Sequence, residues 1–471
     1  MSKTIPPNND LFYLNKLLLF CFIFFIQMQV FSQSKVGFFD KIMCKKLIGN
    51  GNELFYAGRT SEAMFTFKRA KMKNPNSWKA NYHLAMSEFY LKSYLSAEDN
   101  IVTALKLAGD KGDGELYYML GRIHHTLNKI DSAKTYYLKS REIFGKRLSK
   151  DYDLDILIQQ CDFVKNENKN EVVNLRQPFS RKINSKYEEY GAILVYGGKR
   201  LYFTARQPET TGNNMNPDDQ KFFEDMYMAD WDEKSNNWVM NTEWMEDYNT
   251  EGFDALNFIS RNGMYGLITV NTSASSEKTT SSSEIYEFEV DEEDSSWYVD
   301  PIINETINTS YFEGAATITD SLFDEDESYT QTMYFITDRK GDKSLTDIYS
   351  IKRIDDQWGV ATAEASLNTL GRETTPFVTG DGKYLFFSSD ALPGMGGYDV
   401  YYCENINGKW SAPMNMGAKI NTVNDDTHFQ YYPELNKGVI SGIYNFDGYF
   451  SYDVFEVNLE NTDYPFLKNV K

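Results

Sequence analysis

The stretch Gly380-Asp381-Gly382-Lys383-Tyr384-Leu385-Phe386-Phe387-Ser388-Ser389-Asp390, continued by Gly394-Met395-Gly396-Gly397-Tyr398-Asp399-Val400-Tyr401 and Gly408-Lys409-Trp410, decides the fold. A Gly-Asp-Gly turn leads into an apolar run that ends on serine. A glycine-rich turn leads into a second run opened by an acid. A third turn ends on tryptophan. Short aromatic and β-branched runs between glycine turns are the pattern of antiparallel strands. Just upstream, Thr375-Pro376-Phe377-Val378 supplies one more strand. The unit therefore holds four.

The same order recurs along the second half of the chain. Strands ending in Ser or Thr are Leu201–Thr204, Gly266–Thr269, Met333–Thr337 and Tyr384–Ser388. Acid-led strands start at Asp225, Glu284, Asp347, Asp399 and Asp453, and closing tryptophans stand at 238, 297, 358 and 410. A tripeptide marks each junction: Ile183-Asn184-Ser185, Tyr248-Asn249-Thr250, Ile307-Asn308-Thr309, Leu367-Asn368-Thr369 and Ile420-Asn421-Thr422. An acid soon follows each one (Glu189, Glu251, Glu313, Glu373, Asp426), at spacings of 62, 62, 60 and 53 residues. Four strands per unit, repeated five times, predict a five-bladed β-propeller over residues 171–460, with 461–471 left as a C-terminal tail. The fifth unit has no closing tryptophan, and the first tripeptide precedes the first opening. The expectation is a clasp: the segment from Val172 to Ile183 supplies the outer strand of the last blade and removes a sheet edge.

The other part of the chain reads as helix. Gly51, Gly58, Ala63, Phe67, Ala70 and Pro75 fall at the spacing of a 34-residue tetratricopeptide repeat. Leu84, Ala85, Ala97, Ile101 and Ala104 repeat it, as do Leu120, Gly121, Ala133 and Tyr137. The units are 44–77, 78–111 and 114–147, inside a helical domain spanning 34–170. The run Tyr152–Ile158 reads as the capping helix that such a stack requires. The fold class is thus an α-solenoid followed by an all-β propeller, two domains in one chain. Charge divides at the same boundary. Residues 34–170 carry 23 Lys+Arg and 16 Asp+Glu, whereas 171–471 carry 23 and 51. Opposite balances predict that the two parts dock on each other.

The propeller stretch, with Asn415-Met416-Gly417 and Ile420-Asn421-Thr422, resembles the WD40-like, TolB-type repeat, in the version found in outer-membrane-associated proteins of Bacteroidetes. The order signal peptide, tetratricopeptide repeats, propeller resembles envelope proteins of the type IX secretion system. The resemblance implies a periplasmic, non-catalytic scaffold associated peripherally with the outer membrane, with envelope proteins as partners. Members of that family usually continue into a regulatory-like module and an OmpA-like peptidoglycan-binding domain. The sequence stops at Lys471, so peptidoglycan anchoring is not expected. In tetratricopeptide repeats the first helices line a concave groove. Carried over, the groove positions are Asn52, Phe55 and Tyr56, then Tyr82, Met86, Phe89 and Tyr90, then Tyr118, Arg122 and His125. Aromatics with a few donors suit an extended peptide or partner helix. The competing reading is that some of them pack against the neighbouring domain.

At the N-terminus, Lys3 and Lys16 precede the apolar run Leu17–Ile26, and Val30-Phe31-Ser32-Gln33 follows. The run is too short for a comfortable span and has the layout of a secretory signal, residues 1–33, cleaved after Ser32 or Gln33. An uncleaved anchor is the alternative. No later segment is apolar enough to span a bilayer. The cysteines left after cleavage, Cys44, Cys161 and Cys403, read as buried thiols, with a Cys44–Cys161 pair left open.

Composition limits the chemistry. A net charge of −20 over 471 residues argues against nucleic-acid binding, and four histidines leave little for a metal site. No cofactor is expected. Neither Gly-x-Ser-x-Gly nor His-Glu-x-x-His occurs. His428, with Asp425 or Asp426 nearby in sequence, is a weak catalytic candidate and reads as structural. The acidic runs Asp291–Asp294 and Asp324–Glu327 read as solvated loops. The alternative function is an exported propeller hydrolase acting on glycans or peptides, using a carboxylate pair among the many acids.

Overall fold

The structure, a computed structural model, describes residues 36–467 apart from 110–112, 168, 170–171, 209, 218, 242–244, 276–281, 324–327 and 341–344. The expected signal segment 1–33 and the run Asp324–Glu327 lie outside the described residues.

Seven helices come first: α1 Phe38–Tyr56, α2 Thr60–Lys73, α3 Trp78–Tyr90, α4 Tyr94–Ala108, α5 Gly114–Thr126, α6 Ile130–Asp151 and α7 Leu154–Glu167. They pair as α1/α2, α3/α4 and α5/α6, the three expected repeats, with α7 as the cap. α1 starts at Phe38, ahead of the expected repeat boundary at 44. The repeat spacing has a steric cause. A Cβ on Gly51 would lie 2.4 Å from the ring of Phe67, and one on Gly121 would lie 2.6 Å from Tyr137. Only glycine lets these helices close on the aromatic ring of their partner. Each helix pair turns through a left-handed residue at the same place: Gly58, Lys92 and Asn128, with φ of 85°, 59° and 57°. The following amide returns to the preceding helix each time, as in Ser93 N to Glu88 O at 2.8 Å and Lys129 N to His124 O at 2.7 Å.

Five antiparallel sheets follow. Blade 1 is Glu189–Val195, Arg200–Ala205, Asp225–Asp232 and Asn237–Met240; blade 2 is Phe253–Ile259, Tyr265–Asn271, Glu284–Val290 and Trp297–Pro301. Blades 3 and 4 run from Glu313–Ile318 to Gln357–Trp358 and from Glu373–Val378 to Lys409–Trp410. Blade 5 holds Asp426–Tyr432, Lys437–Phe446 and Tyr449–Asn458, and its fourth strand is Arg176–Pro178. The clasp is therefore present, with Arg176 opposite Val457 and Pro178 opposite Phe455. The segment after the last blade is not a free tail. Phe466 is buried among Tyr384, Phe386 and Tyr431, where it fills the gap between blades 4 and 5.

The junction tripeptides explain why blades follow one another. In each, the Asn side-chain amide pairs with the backbone of the preceding blade's third strand as a strand residue would. Asn184 accepts from Val454 N and donates to Val454 O, both at 2.9 Å. Asn249 does this to Met226, Asn308 to Ile285, Asn368 to Ile348 and Asn421 to Val400, at 2.7–3.0 Å. The adjoining Ser or Thr then bonds the acid four residues on, which opens the next blade. Thr309 Oγ1 donates to Glu313 at 2.6 Å and Thr369 Oγ1 to Glu373 at 2.7 Å. In blade 2 the partner of Thr250 is Asp254, at 2.9 Å, rather than the expected Glu251. Glu251 falls too early for the four-residue reach.

All five opening acids are completely buried. Asp426 meets Arg176 of the clasp in a buried ion pair. Asn184→Ala would orphan a buried amide and carbonyl, and should cost about 2–4 kcal/mol in urea unfolding. Glu189 gives a pH signature. Burial pushes its carboxyl up to about 7, Ser185 acts against this, and Asp453 adds to it. Folded-state ionisation then needs a higher pH than in the unfolded chain. The stability this group contributes is present at low pH and lost as pH rises through about 7. Glu189→Gln cannot ionise, so its stability relative to wild type should improve between about pH 5 and pH 8. Urea titrations at the two pH values measure this difference, and no change would contradict it.

Candidate functional site

The solenoid lies on the propeller face where the inner strands begin, over blades 4, 5 and the edge of blade 1. Two apolar contacts hold it. Tyr94 meets Phe450 edge to face at 4.8 Å, in a cluster with Phe89, Ile443 and Tyr452. Tyr137, Ile158 and Val164 pack with Met395, Ala418 and Val423. A polar knot lies between them. Lys92 and Lys221 both reach Glu188, and Lys92 lies 4.6 Å above the Tyr452 ring. Glu188 is buried, which alone would raise its carboxyl, but the two lysines hold it down at about 2. Arg206 makes two bonds to Asp219, at 2.7 and 3.1 Å, and the Asp219 carbonyl accepts from Ser61 Oγ of α2 at 3.0 Å. At the far end, Glu167 of α7 accepts from Ala418 N at 3.2 Å. The two parts thus dock, through the ion pair of Lys92 with Glu188 and hydrogen bonds as well as apolar packing.

This docking sorts the ten groove positions. Phe89, Arg122 and His125 face the propeller or the closed interior. Phe89 is buried beside Tyr94, and the Arg122 guanidinium lies 5.3 Å from its ring. His125 is 4% exposed, and its Nε2 bonds the Met395 carbonyl at 2.8 Å. Burial lowers its pKa to about 4, against the pull of that carbonyl. For Phe89 and His125 the expectation of an open peptide groove gives way to interdomain packing, because the 443–452 hairpin and the Met395 loop stand over them, while Arg122 is held inside the solenoid between Phe89 and Tyr118. Tyr82, Met86 and Tyr118 form half-buried walls. Tyr118 accepts from Arg122 at 2.9 Å, and burial together with Glu115 raises the Tyr82 hydroxyl. Asn52 and Phe55 are half-buried, whereas Tyr56 is 84% and Tyr90 60% exposed. Phe55 packs its ring on Tyr90 at 5.4 Å. The open end of the groove is therefore Asn52, Phe55, Tyr56 and Tyr90.

On the propeller, the solenoid leaves blades 1–3 open. There a cavity of about 440 Å³ lies between Phe253 and Phe312, with Glu224 and Asp338 in its wall. Asp338 accepts the Phe312 amide at 3.0 Å. The cavity itself has no linear motif. Its residues come from strands and loops of three blades and meet only in the ring.

His428 sits in the axial channel, which has narrowed there to about 20 Å³. Its Nδ1 meets Thr427 Oγ1 at 2.9 Å, its amide donates to Thr375 Oγ1, and its ring faces Tyr190. Asp425 and Asp426 are bonded elsewhere, to Tyr452 and Thr422. Burial lowers the His428 pKa to about 4. The histidine is a structural part of the ring. His124 turns to Glu98 at 3.0 Å, away from His125. Cys44, Cys161 and Cys403 are free and buried. Among the described residues no group of three or more His, Cys, Asp or Glu could hold a metal, and no helix is long and apolar enough to cross a membrane.

No protein-family model matches the chain, and no curated protein matches it. Solved structures do. The chain is similar to YrrB, a TPR protein with an unusual peptide-binding site: 21% identity over 26% of this chain and 60% of that one, TM-score 0.23. It is similar to the first TPR domain of human RPAP3 at 22% identity, over 27% of this chain and 98% of that one, TM-score 0.25. It is also similar to the α-L-arabinofuranosidase PaAbf62A from Podospora anserina, solved with cellotriose: 8% identity over 57% and 89% of the chains, TM-score 0.34.

Two substitutions separate the groove classes. Phe89→Ala should cost about 3–5 kcal/mol, whereas Tyr56→Ala should stay within about 0.5 kcal/mol of wild type in urea unfolding. A double-mutant cycle between Tyr94 and Phe450 should return a coupling of about 1 kcal/mol if the domains dock as described.

Proposed function

We propose that the protein is an exported, non-catalytic scaffold on the periplasmic side of the outer membrane, holding protein partners of an envelope machinery. One observation carries this reading. The solenoid commits Phe89 and His125 to the propeller, so two repeat domains form one body with separate open surfaces. One surface is the Asn52, Phe55, Tyr56 and Tyr90 end of the groove. The other is the propeller face over blades 1–3. Preformed broad surfaces on rigid elements suit binding several partners at once. The machinery we favour is type IX secretion or gliding, because the domain order resembles PorE. Partners would then be outer-membrane components. The signal layout Lys16–Gln33 supports export.

A second reading, an exported hydrolase acting on glycans or peptides, is favoured by one observation: two carboxylates, Glu224 and Asp338, share a cavity.

The test is site-specific photocrosslinking in the native cell, with the crosslinker at Tyr56, Tyr90 or Phe312. Envelope proteins captured at these sites, and absent with the crosslinker at buried Phe203, would bear out the scaffold. The isolated protein should begin at Gln33 or Ser34. Turnover of oligosaccharides or peptides by the purified chain, abolished by Glu224→Gln, would replace the scaffold by the hydrolase.

A further inference from the structure

The cavity on the open propeller face has a chemical character of its own. Phe253 and Phe312 are its aromatic sides, Glu224 and Asp338 its charged groups, and none of its described lining residues is Lys, Arg or His. Among the described residues the cations nearby are engaged. Arg206, which offsets Glu224, carries its two bonds to Asp219. Arg339 and Lys340, next to Asp338 in sequence, pair with Glu313 at 3.1 Å and with Asp347 at 2.6 Å. Behind Phe253 stand two further buried acids, Asp225 and Asp254, and one Asp254 oxygen has no hydrogen-bond partner among the described residues. Burial raises both of these carboxyls and that of Glu224, and Glu224 and Asp225 raise Asp254 further. Among the described residues the space thus has two aromatic sides, two carboxyls and no cation in its wall.

A cation on an apolar stem answers both features at once. Its charge meets the carboxylates, while its stem and the cation itself lie against ring faces. At about 440 Å³ the cavity is within the range of small-ligand sites and holds one long side chain with its flanking backbone. A neutral sugar would leave the charge uncompensated. A bare divalent cation would want a shell of six or more oxygens with several carboxylates among them, and among the described residues no group of three or more His, Cys, Asp or Glu could hold a metal. We infer that this cavity binds a lysine or arginine side chain presented by a partner polypeptide. The inference rests on the scaffold reading above and gives the propeller face its ligand class.

The experiment is calorimetric titration of the purified exported chain with Nα-acetyl-lysine methylamide and its arginine counterpart. The uncharged norleucine derivative, cellobiose and calcium chloride serve as comparison probes. A cationic derivative should bind, with the norleucine derivative about ten-fold weaker or more. Asp338→Asn and Glu224→Gln should each weaken binding about five-fold or more, and Phe312→Ala about three-fold or more. Should Glu224→Gln fail to fold, because Tyr190 and Arg206 lean on that carboxyl, Asp338→Asn carries the test. Equal binding of norleucine, binding of cellobiose or calcium in place of the cations, or no binding of any probe at about 10 mM would each overturn the inference. If Asp338→Asn protein still captures every crosslinked partner and the cationic probes do not bind, the cavity inference fails and the scaffold stands. If no partner is captured and the probes do bind, the scaffold reading falls by itself.

Discussion

A side-chain amide used as a strand holds this molecule together. Five times, an Asn pairs with the third strand of one blade, and the next residue bonds the buried acid that opens the following blade. The backbone groups it meets are buried, so losing the amide would leave them unpaired. The price is a ring of carboxyls taken out of water, which raises Glu189 and Asp254 to about 7. Their hydroxyl and amide partners offset part of that cost. Four of these junctions join neighbours in sequence. The fifth, Asn184 to Val454, joins the two ends of the propeller, and Arg176 reinforces it by pairing with Asp426. Ring closure is non-local: the Arg176–Pro178 strand carries it, and one amide and one guanidinium reinforce it.

The position of the solenoid follows from that closure. The clasp strand Arg176–Pro178 lies on blade 5, so α7 must end close to blades 4 and 5. The solenoid then lies over those two blades and meets blade 1 through Lys92 and Ser61. The groove residues nearest the propeller become packing residues, while those of the first repeat stay in solvent.

Repetition made most of this legible in the sequence. Identical junctions at near-equal intervals announced the blade number, and the missing tryptophan announced the clasp. Blade 2 misled because Glu251 precedes its true opening acid; only the four-residue reach from Thr250 selects Asp254. The groove was legible as helix positions and illegible as an accessible surface. Nothing local to Phe89 or His125 records that Phe450 and Met395, hundreds of residues on, will cover them. Opposite net charges said that the domains meet, but the meeting is made by Lys92, Lys221 and Glu188 together with more apolar than ionic contact.

The open cavity is not independent of the solenoid. Glu224 is offset by Arg206, Arg206 is held by two bonds to Asp219, and the Asp219 carbonyl is bonded by Ser61 of α2. Lys92 acts in parallel, because it neutralises Glu188, which lies 3.8 Å from the same arginine. Without Lys92, Glu188 would draw on Arg206 and leave Glu224 with less compensation. The helical domain therefore sets part of the charge in a cavity it does not line. A propeller separated from its solenoid would present the same loops with a different balance of charge.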